Sequence, residues 1–212
     1  MSSGAPIAPS ARWFRAIGSL VRVLSRLLFR IEVHGHEHLP EERPLIYAPT
    51  HRSFLDTPFL SAVVKEPCRF LAKESIFRYR PFNVLFRKLG AIPVDRERGG
   101  HTALRSCLRV LAAGESLVVF PEGTRNVGPT VGPVHDGCAY LAIKSGALIV
   151  PIAIGNSERV LPRGAKFPRF AKVRIEIGAP ISPQGLDARG DAARLTAAIE
   201  SELQLLLDHA SL

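Results

Sequence analysis

No stretch of this chain reaches the roughly 18 uninterrupted apolar residues that a membrane-spanning helix needs. A crossing helix is therefore not expected. Acidic residues are also short: 19 Asp and Glu stand against 28 Lys and Arg, for a net charge of +9. An excess of that size suits an anionic partner, whether nucleic acid, an acidic membrane surface or a phosphorylated substrate, without choosing among them. Cysteine is sparse and scattered. Cys68, Cys107 and Cys138 form no C-x-x-C and are odd in number, which argues against a disulfide framework or a zinc finger. Their apolar neighbours read as those of buried thiols in a reducing compartment. Internal repeats and low-complexity tracts are missing too. The hydrophobic share of 46% is too high for global disorder. A chain of 212 residues is long enough for one domain with a sizeable core, with room for a short appendage.

The appendage is N-terminal. Residues 1–10 are small and contain proline, and from Ala11 to Ile31 the pattern turns helical. Arg12, Arg15, Arg22, Arg26 and Arg30 fall within an arc of roughly 80° at the helical period. Trp13, Ile17, Leu20, Val21, Leu24, Leu27 and Leu28 cover the opposite side. Such a helix can lie in the headgroup plane with its apolar face down and its arginine stems snorkelling. Alternatively it packs that face on its own domain. Arg22 and Arg26 interrupt the apolar run and no small-residue cleavage site follows, so a secretory signal is not expected. Residues 1–33 are read as this amphipathic membrane-surface helix and residues 34–212 as the main domain.

Beyond it, strands and helices alternate. Strands are expected at Ile31–Gly35, Pro44–Ala48, Arg69–Ala72, Ala91–Val94, Leu117–Phe120, Ala147–Ile154 and Lys172–Ile177. Helices are expected from Ser53–Thr57 to Val64, over Tyr79–Leu89 after Pro81, and over Thr102–Ala113, Gly137–Ser145 and Asp191–Leu207. Gly114 and Gly146 are the stops of the third and fourth. The order predicts a single α/β domain with a central, largely parallel sheet flanked by helices.

Two segments carry chemistry. In Thr50-His51-Arg52-Ser53-Phe54-Leu55-Asp56, five positions separate His51 from Asp56. Within one helix these would diverge by roughly 140°. They meet if His51 lies on a strand-exit loop and Asp56 in the first turn beyond it. A carboxylate on one ring nitrogen then fixes the tautomer and leaves the other free to take a proton from a hydroxyl. An imidazole with a pKa of about 6.5 suits that task. Alternatively Ser53-Phe54-Leu55-Asp56 is a capping box and Asp56 only caps a helix, or Thr57 is the cap with Pro58 first in the helix. The second segment, Phe120-Pro121-Glu122-Gly123-Thr124-Arg125, leaves a strand at the carboxyl edge where open α/β sheets bind ligands. Gly123 permits close backbone approach. Arg125 offers a planar fork for phosphate, and Thr124 a hydroxyl. Glu122 can position Arg125 or bond a substrate hydroxyl. Arg96, in Val94-Asp95-Arg96-Glu97-Arg98, could reach the same place, or belong to a solvated charge run.

His34, His36 and His38 would share one face of a continuous strand and could hold a metal. Gly35 and Leu39-Pro40 instead suggest a strand running into a turn, and no metal is expected. Phe77 to Phe82 interleaves aromatic and basic residues; contact with a membrane is the reading preferred over nucleobase stacking, and no nucleic acid is expected.

Taken in order, these segments resemble the PlsC-type glycerolipid acyltransferases. His51 and Asp56 match the family's His-x4-Asp. Gly90 to Arg96 match its second block, Phe120 to Arg125 its Phe-Pro-Glu-Gly-Thr-Arg, and Val150-Pro151-Ile152-Ala153 its fourth. The resemblance spans about Pro44 to Ile154. It implies a glycerol-3-phosphate acyltransferase-like fold and direct acyl transfer from acyl-CoA or acyl-carrier protein to a lysophospholipid. The expected acceptor is 1-acylglycerol-3-phosphate, giving phosphatidic acid; the same chemistry on glycerol-3-phosphate or another lysolipid, or a non-catalytic lipid-binding module, are the alternatives. His51 is then the base, Asp56 its support, and Arg96, Glu122, Gly123, Thr124 and Arg125 hold the acceptor, with Pro151 shaping the site. No cofactor is required, and the work is expected at the cytoplasmic face of an anionic membrane, peripherally or monotopically. Two departures stand out. Thr50 occupies a position that is Asn in many relatives, and Val134-His135-Asp136-Gly137 stands where many carry Lys-Gly.

Overall fold

A computed structural model describes residues 11–94, 100–162, 164–188 and 190–211. The chain runs α1 (Ala11–Phe29), β1 (Glu32–His34), β2 (Leu45–Pro49), α2 (Asp56–Phe59), β3 (Cys68–Lys73), α3 (Arg80–Lys88) and β4 (Ala91–Val94). It continues through α4 (Gly100–Ala112), β5 (Ser116–Val118), α5 (Gly137–Ser145), β6 (Leu148–Gly155), α6 (Ser157–Val160), β7 (Arg174–Ile177) and α7 (Ala192–Ala210). The strands form one seven-stranded sheet in the order β1-β7-β6-β2-β5-β3-β4. Every neighbouring pair is parallel except β6 with β7. The sheet is thus mixed but largely parallel, as the alternation of elements predicts.

Side-chain alternation along the strands sorts the core into two layers. On β2, Leu45 and Tyr47 join Phe29, Phe59, Leu60 and Ile152 on the α1–α2 side of the sheet. Ile46 and Ala48 join Leu111, Leu117, Leu141 and Leu203, from α4, β5, α5 and α7, on the other. All of β2 is buried, as expected of a central parallel strand covered on both faces.

This order places the site. β2 lies between β5 and β6, and all three run the same way. Their carboxyl ends, which carry His51, Phe120–Arg125 and the residues after Gly155, are therefore side by side, about 4.8 Å apart per strand. β4 lies three strands from β2. Arg96, just beyond it, lies outside the described residues.

Three expectations change in detail. The helix expected to reach Val64 is only one turn of α2 followed by a 3-10 turn, Leu60–Ala62. The carbonyl of Ser61 accepts Arg22 Nε of α1 at 2.8 Å instead of a helical amide. β5 ends at Val118, not Phe120. Val119 N still donates to Tyr47 O at 2.9 Å, after which Phe120 turns toward His51. The three histidines do not share a face. His34 is in β1, whereas His36–His38 form a 3-10 turn entered through Gly35 at φ 77. His38 Nδ1 donates to Ile177 O at 2.7 Å.

α1 seats Ser25 and Phe29 in the domain, with Phe29 edge-on to Phe59 at 5.4 Å. The helix rests partly on its arginine side, through Arg22, so its leucines point away from the protein. Leu20, Leu24, Leu27 and Leu28 are all exposed, Leu27 at 73%. Among the described residues no helix is long and apolar enough to cross a membrane.

Candidate active site

His51 leaves β2 after Thr50, whose hydroxyl accepts Ile154 N at 2.9 Å and whose own N–H donates to Ile152 O at 2.9 Å. Thr50 thus staples the exit of β2 to β6.

Asp56 is fully buried and turned back over the loop. Its Oδ2 accepts from His51 Nδ1 at 3.0 Å, Arg52 N at 2.6 Å and Ser53 N at 2.7 Å. Its Oδ1 accepts from Ser157 Oγ at 2.5 Å. His51 and Asp56 meet as a loop-to-first-turn pair, whereas the capping box forms only by half: Ser53 N donates to Asp56 Oδ2, but Ser53 Oγ accepts Leu55 N at 3.3 Å and α2 begins at Asp56 itself with Leu55 before it. A carboxylate at Nδ1 makes that nitrogen the donor and leaves Nε2 as the acceptor. Among the described residues nothing hydrogen-bonds Nε2, and the His51 side chain keeps 17% of its surface open. The ring lies against Phe120, centroids 4.1 Å apart.

The Phe120–Arg125 loop is tied directly to His51. Glu122 Oε1 accepts His51 N at 2.6 Å, and Asn126 N donates to His51 O at 2.8 Å. Glu122 Oε2 accepts Asn126 Nδ2 and Gly132 N, each at 2.9 Å. Glu122 is only 2% exposed and both its oxygens serve the protein. It clamps the loop, and its partners are His51 N, Asn126 Nδ2 and Gly132 N rather than the guanidinium of Arg125. Gly123 is at φ 64, and a Cβ there would come within 3.2 Å of the His135 ring. Thr124 is exposed. The Arg125 guanidinium lies over the Phe54 ring, 3.5 Å from its centroid. Because Phe54 belongs to the histidine loop, this stacking draws the two sequence segments together. Pro151 is buried in β6 opposite Ala48, its ring close to Gly178.

Three further residues stand at the site with no role expected of them: Asn126, Arg52 and Ser157, the last of which lies past the fourth matched block. Arg52 is in fact buried, with Nε donating to Glu158 Oε2 at 3.1 Å and Nη2 donating to Gly128 O. The signal that could have found Ser157 is Gly155-Asn156-Ser157, a turn placed where a strand leaves the sheet.

No thiol competes with His51. Cys68, Cys107 and Cys138 are buried, and burial pushes each from the ordinary thiol value of 9.0 up to about 12. Folding therefore holds protons that the unfolded chain would release. That stabilisation is whole below pH 9 and is lost as the pH rises toward 12. We expect a thiol reagent at pH 8 to label none of the three in the native protein and all three in denaturant. Rapid labelling of a native thiol would show a nucleophile the structure does not contain.

The family model described as Acyltransferase matches residues 30–155. The chain belongs to the acyltransferase family, of the PlsC type. The matched span holds His51, Asp56 and the whole Phe120–Arg125 loop. This acyltransferase is 30% identical over 170 residues to a chloroplastic 1-acyl-sn-glycerol-3-phosphate acyltransferase of Arabidopsis thaliana, covering 78% of this chain and 48% of that one. It is 24% identical over 189 residues to the 1-acyl-sn-glycerol-3-phosphate acyltransferase of Bacillus subtilis, covering 89% and 92%. It spans about half the length of the plant relatives it matches. The crystal structure of the 1-acyl-sn-glycerophosphate acyltransferase PlsC from Thermotoga maritima superposes with a TM-score of 0.82 at 24% identity, over 92% of this chain and 78% of that one. The fold, with its N-terminal helix and flanked mixed sheet, is the same.

Proposed function

We propose that the chain moves a fatty acyl group from acyl-CoA, or from acyl-carrier protein, to the free hydroxyl of 1-acylglycerol-3-phosphate, giving phosphatidic acid. The observation that carries this reading is the His51 ring, held through Nδ1 by Asp56 with Nε2 open. Nε2 takes the proton of the acceptor hydroxyl as its oxygen attacks the thioester carbonyl. A C–O bond forms, the C–S bond breaks, and the thiolate leaves with the proton that the imidazolium returns. Transfer is direct, without an acyl-enzyme, as the family resemblance implies, and the burial of all three thiols accords with it. No step needs a metal ion.

Arg125 receives the acceptor phosphate. Among the described residues no hydrogen bond or ion pair occupies its N–H groups, and the stacking on Phe54 holds the fork by its face. Arg96 is proposed as a second cation on the same phosphate. Gly123 and Thr124 give the acceptor room and a hydroxyl at the loop tip, while Pro151 shapes the floor. The names of the relatives favour lysophosphatidate over glycerol-3-phosphate or another lysolipid. Purified protein given one labelled acyl-CoA with these acceptors in parallel should consume lysophosphatidate with the highest kcat/KM. A faster reaction with glycerol-3-phosphate would reassign the acceptor.

The boundary expected at 33/34 would fall inside β1, so the domain begins earlier, with Phe29 and Ile31 already in its core. The reaction takes place at the cytoplasmic face of a membrane, with the exposed side of α1 on the lipid and the sheet with its loops carrying the chemistry. The outward leucines of α1 support this. Each buried side chain of that size adds about 1.5–3 kcal/mol. Because Phe29 and Ser25 belong to the core, point changes test the idea better than deletion. Leu24→Glu with Leu27→Glu should weaken binding to vesicles of anionic phospholipid by at least about 100-fold while leaving thermal unfolding unchanged. Unaltered sedimentation with vesicles would remove the helix from the membrane.

A further inference from the structure

The carboxylate of Asp56 has a partner that lies outside all four family blocks. β6 leaves the sheet at Gly155, and Asn156 takes the left-handed φ of 65. That turn is tightly constrained, since a Cβ on Gly155 would fall 2.1 Å from Ala210 O. The reversal aims Ser157 at the exit of β2. Ser157 is 0% exposed, and its Oγ donates to Asp56 Oδ1 at 2.5 Å.

This bond has a definite mechanical role. Asp56 Oδ2 is shared among three donors that all come from residues 51–53, on one side of the carboxylate. A carboxylate held at one oxygen can still swing about the bond that carries it. Ser157 fixes the other oxygen from an element 101 positions away in sequence. The next residue repeats the device, because Glu158 accepts Arg52 Nε at 3.1 Å. Two consecutive side chains of α6 therefore grip the histidine loop at Asp56 and at Arg52. A site so preorganised keeps the imidazole in its productive orientation without reorganisation during turnover.

We propose that Ser157 is a positioning residue for the base: its hydroxyl locks Asp56 so that His51 Nε2 points at the acceptor hydroxyl. It touches no substrate. The role rests on the reading of His51 as the general base of acyl transfer. The hydroxyl also spreads the charge of the carboxylate, which weakens the carboxylate's hold on the imidazolium. The other charged or titratable groups around the pair are Arg52 with Glu158, Glu122 at the His51 amide, Arg125 over Phe54 and His135 beside Gly123. Of these, only Glu158 adjoins position 157 in the chain.

The test compares the wild-type full chain with Ser157→Ala, Ser157→Thr and Ser157→Cys, with His51→Ala alongside. Rates are measured across pH with one acyl-CoA and lysophosphatidate, and thermal unfolding is followed for each protein. For Ser157→Ala we expect kcat to fall about 10-fold or more, with both KM values within about 2-fold. The acid limb of the rate profile should move to higher pH, because the bare carboxylate holds the imidazolium more tightly. Ser157→Thr, which keeps the hydroxyl, should recover most of the rate. Wild-type kcat and an unmoved acid limb in Ser157→Ala, beside an inactive His51→Ala, would overturn the positioning role and leave the base intact. A lower kcat that only follows the folded fraction, with the limb unmoved, would overturn it equally. Turnover by His51→Ala would instead sink the general-base reading itself. Should Ser157→Ala not fold, Ser157→Cys decides: its weak donor should give an intermediate kcat and a shifted limb, and full activity there would end the proposal.

Discussion

Replacing His51 with Ala is expected to lower turnover by about 10²- to 10⁴-fold, the usual worth of a positioned general base. Folding should survive. The bonds that tie position 51 to its surroundings through the backbone, from its N–H to Glu122 and to its carbonyl from Asn126, do not involve the ring. The lost imidazole was partly open to solvent, so the void left against Phe120 is shallow. The variant should still sediment with anionic vesicles, because the leucines of α1 are untouched. That combination separates an enzyme from a lipid-binding module of the same fold. Product formed at the wild-type rate by His51→Ala would end the assigned mechanism.

Asp56→Asn is expected to lower kcat by roughly 10²-fold or more, for a reason that the hydrogen bonds make specific. The asparagine carbonyl can take the place of Oδ2 and accept from Arg52 N, Ser53 N and His51 Nδ1. Its amide can then donate to Ser157, whose hydroxyl turns to accept. Every contact is kept, the tautomer is kept, and only the negative charge is removed. The imidazolium formed during proton transfer loses its counter-charge. The unfolding midpoint should therefore move little. Asp56→Ala is the contrasting case: it leaves two buried amides and a buried hydroxyl without their acceptor, and should destabilise the fold by about 2–5 kcal/mol. Rates near wild type in Asp56→Asn would show that geometry alone, without charge, carries the support.

The order of elements was legible in the sequence because each carries its own local signal. α5 runs from Gly137 to Ser145 as expected, stopped by Gly146 at φ 74. β4 matches residue for residue. His51 and Asp56 were legible because five residues after a strand exit suffice to bring a carboxylate back to a ring. What stayed hidden depends on the order of strands in space. Nothing local says that β6 lies beside β2, and so nothing says that Ser157 reaches Asp56 or that Glu158 reaches Arg52. The inward turn of Glu122 is hidden for the same reason: its partners, the His51 amide and Gly132, are supplied by folding. The path of α1 was ambiguous because its apolar face could lie on lipid or on its own domain; docking through Arg22, Ser25 and Phe29 leaves Leu20, Leu24, Leu27 and Leu28 exposed.

Phe54 carries a practical warning for anyone redesigning the surface. At 67% exposure it is the kind of solvent-facing ring that solubility engineering exchanges first for a polar residue. Yet that ring is the plate on which the Arg125 guanidinium lies flat. A polar replacement would remove that support, and on the role proposed for Arg125 the expected cost is weaker binding of the acceptor.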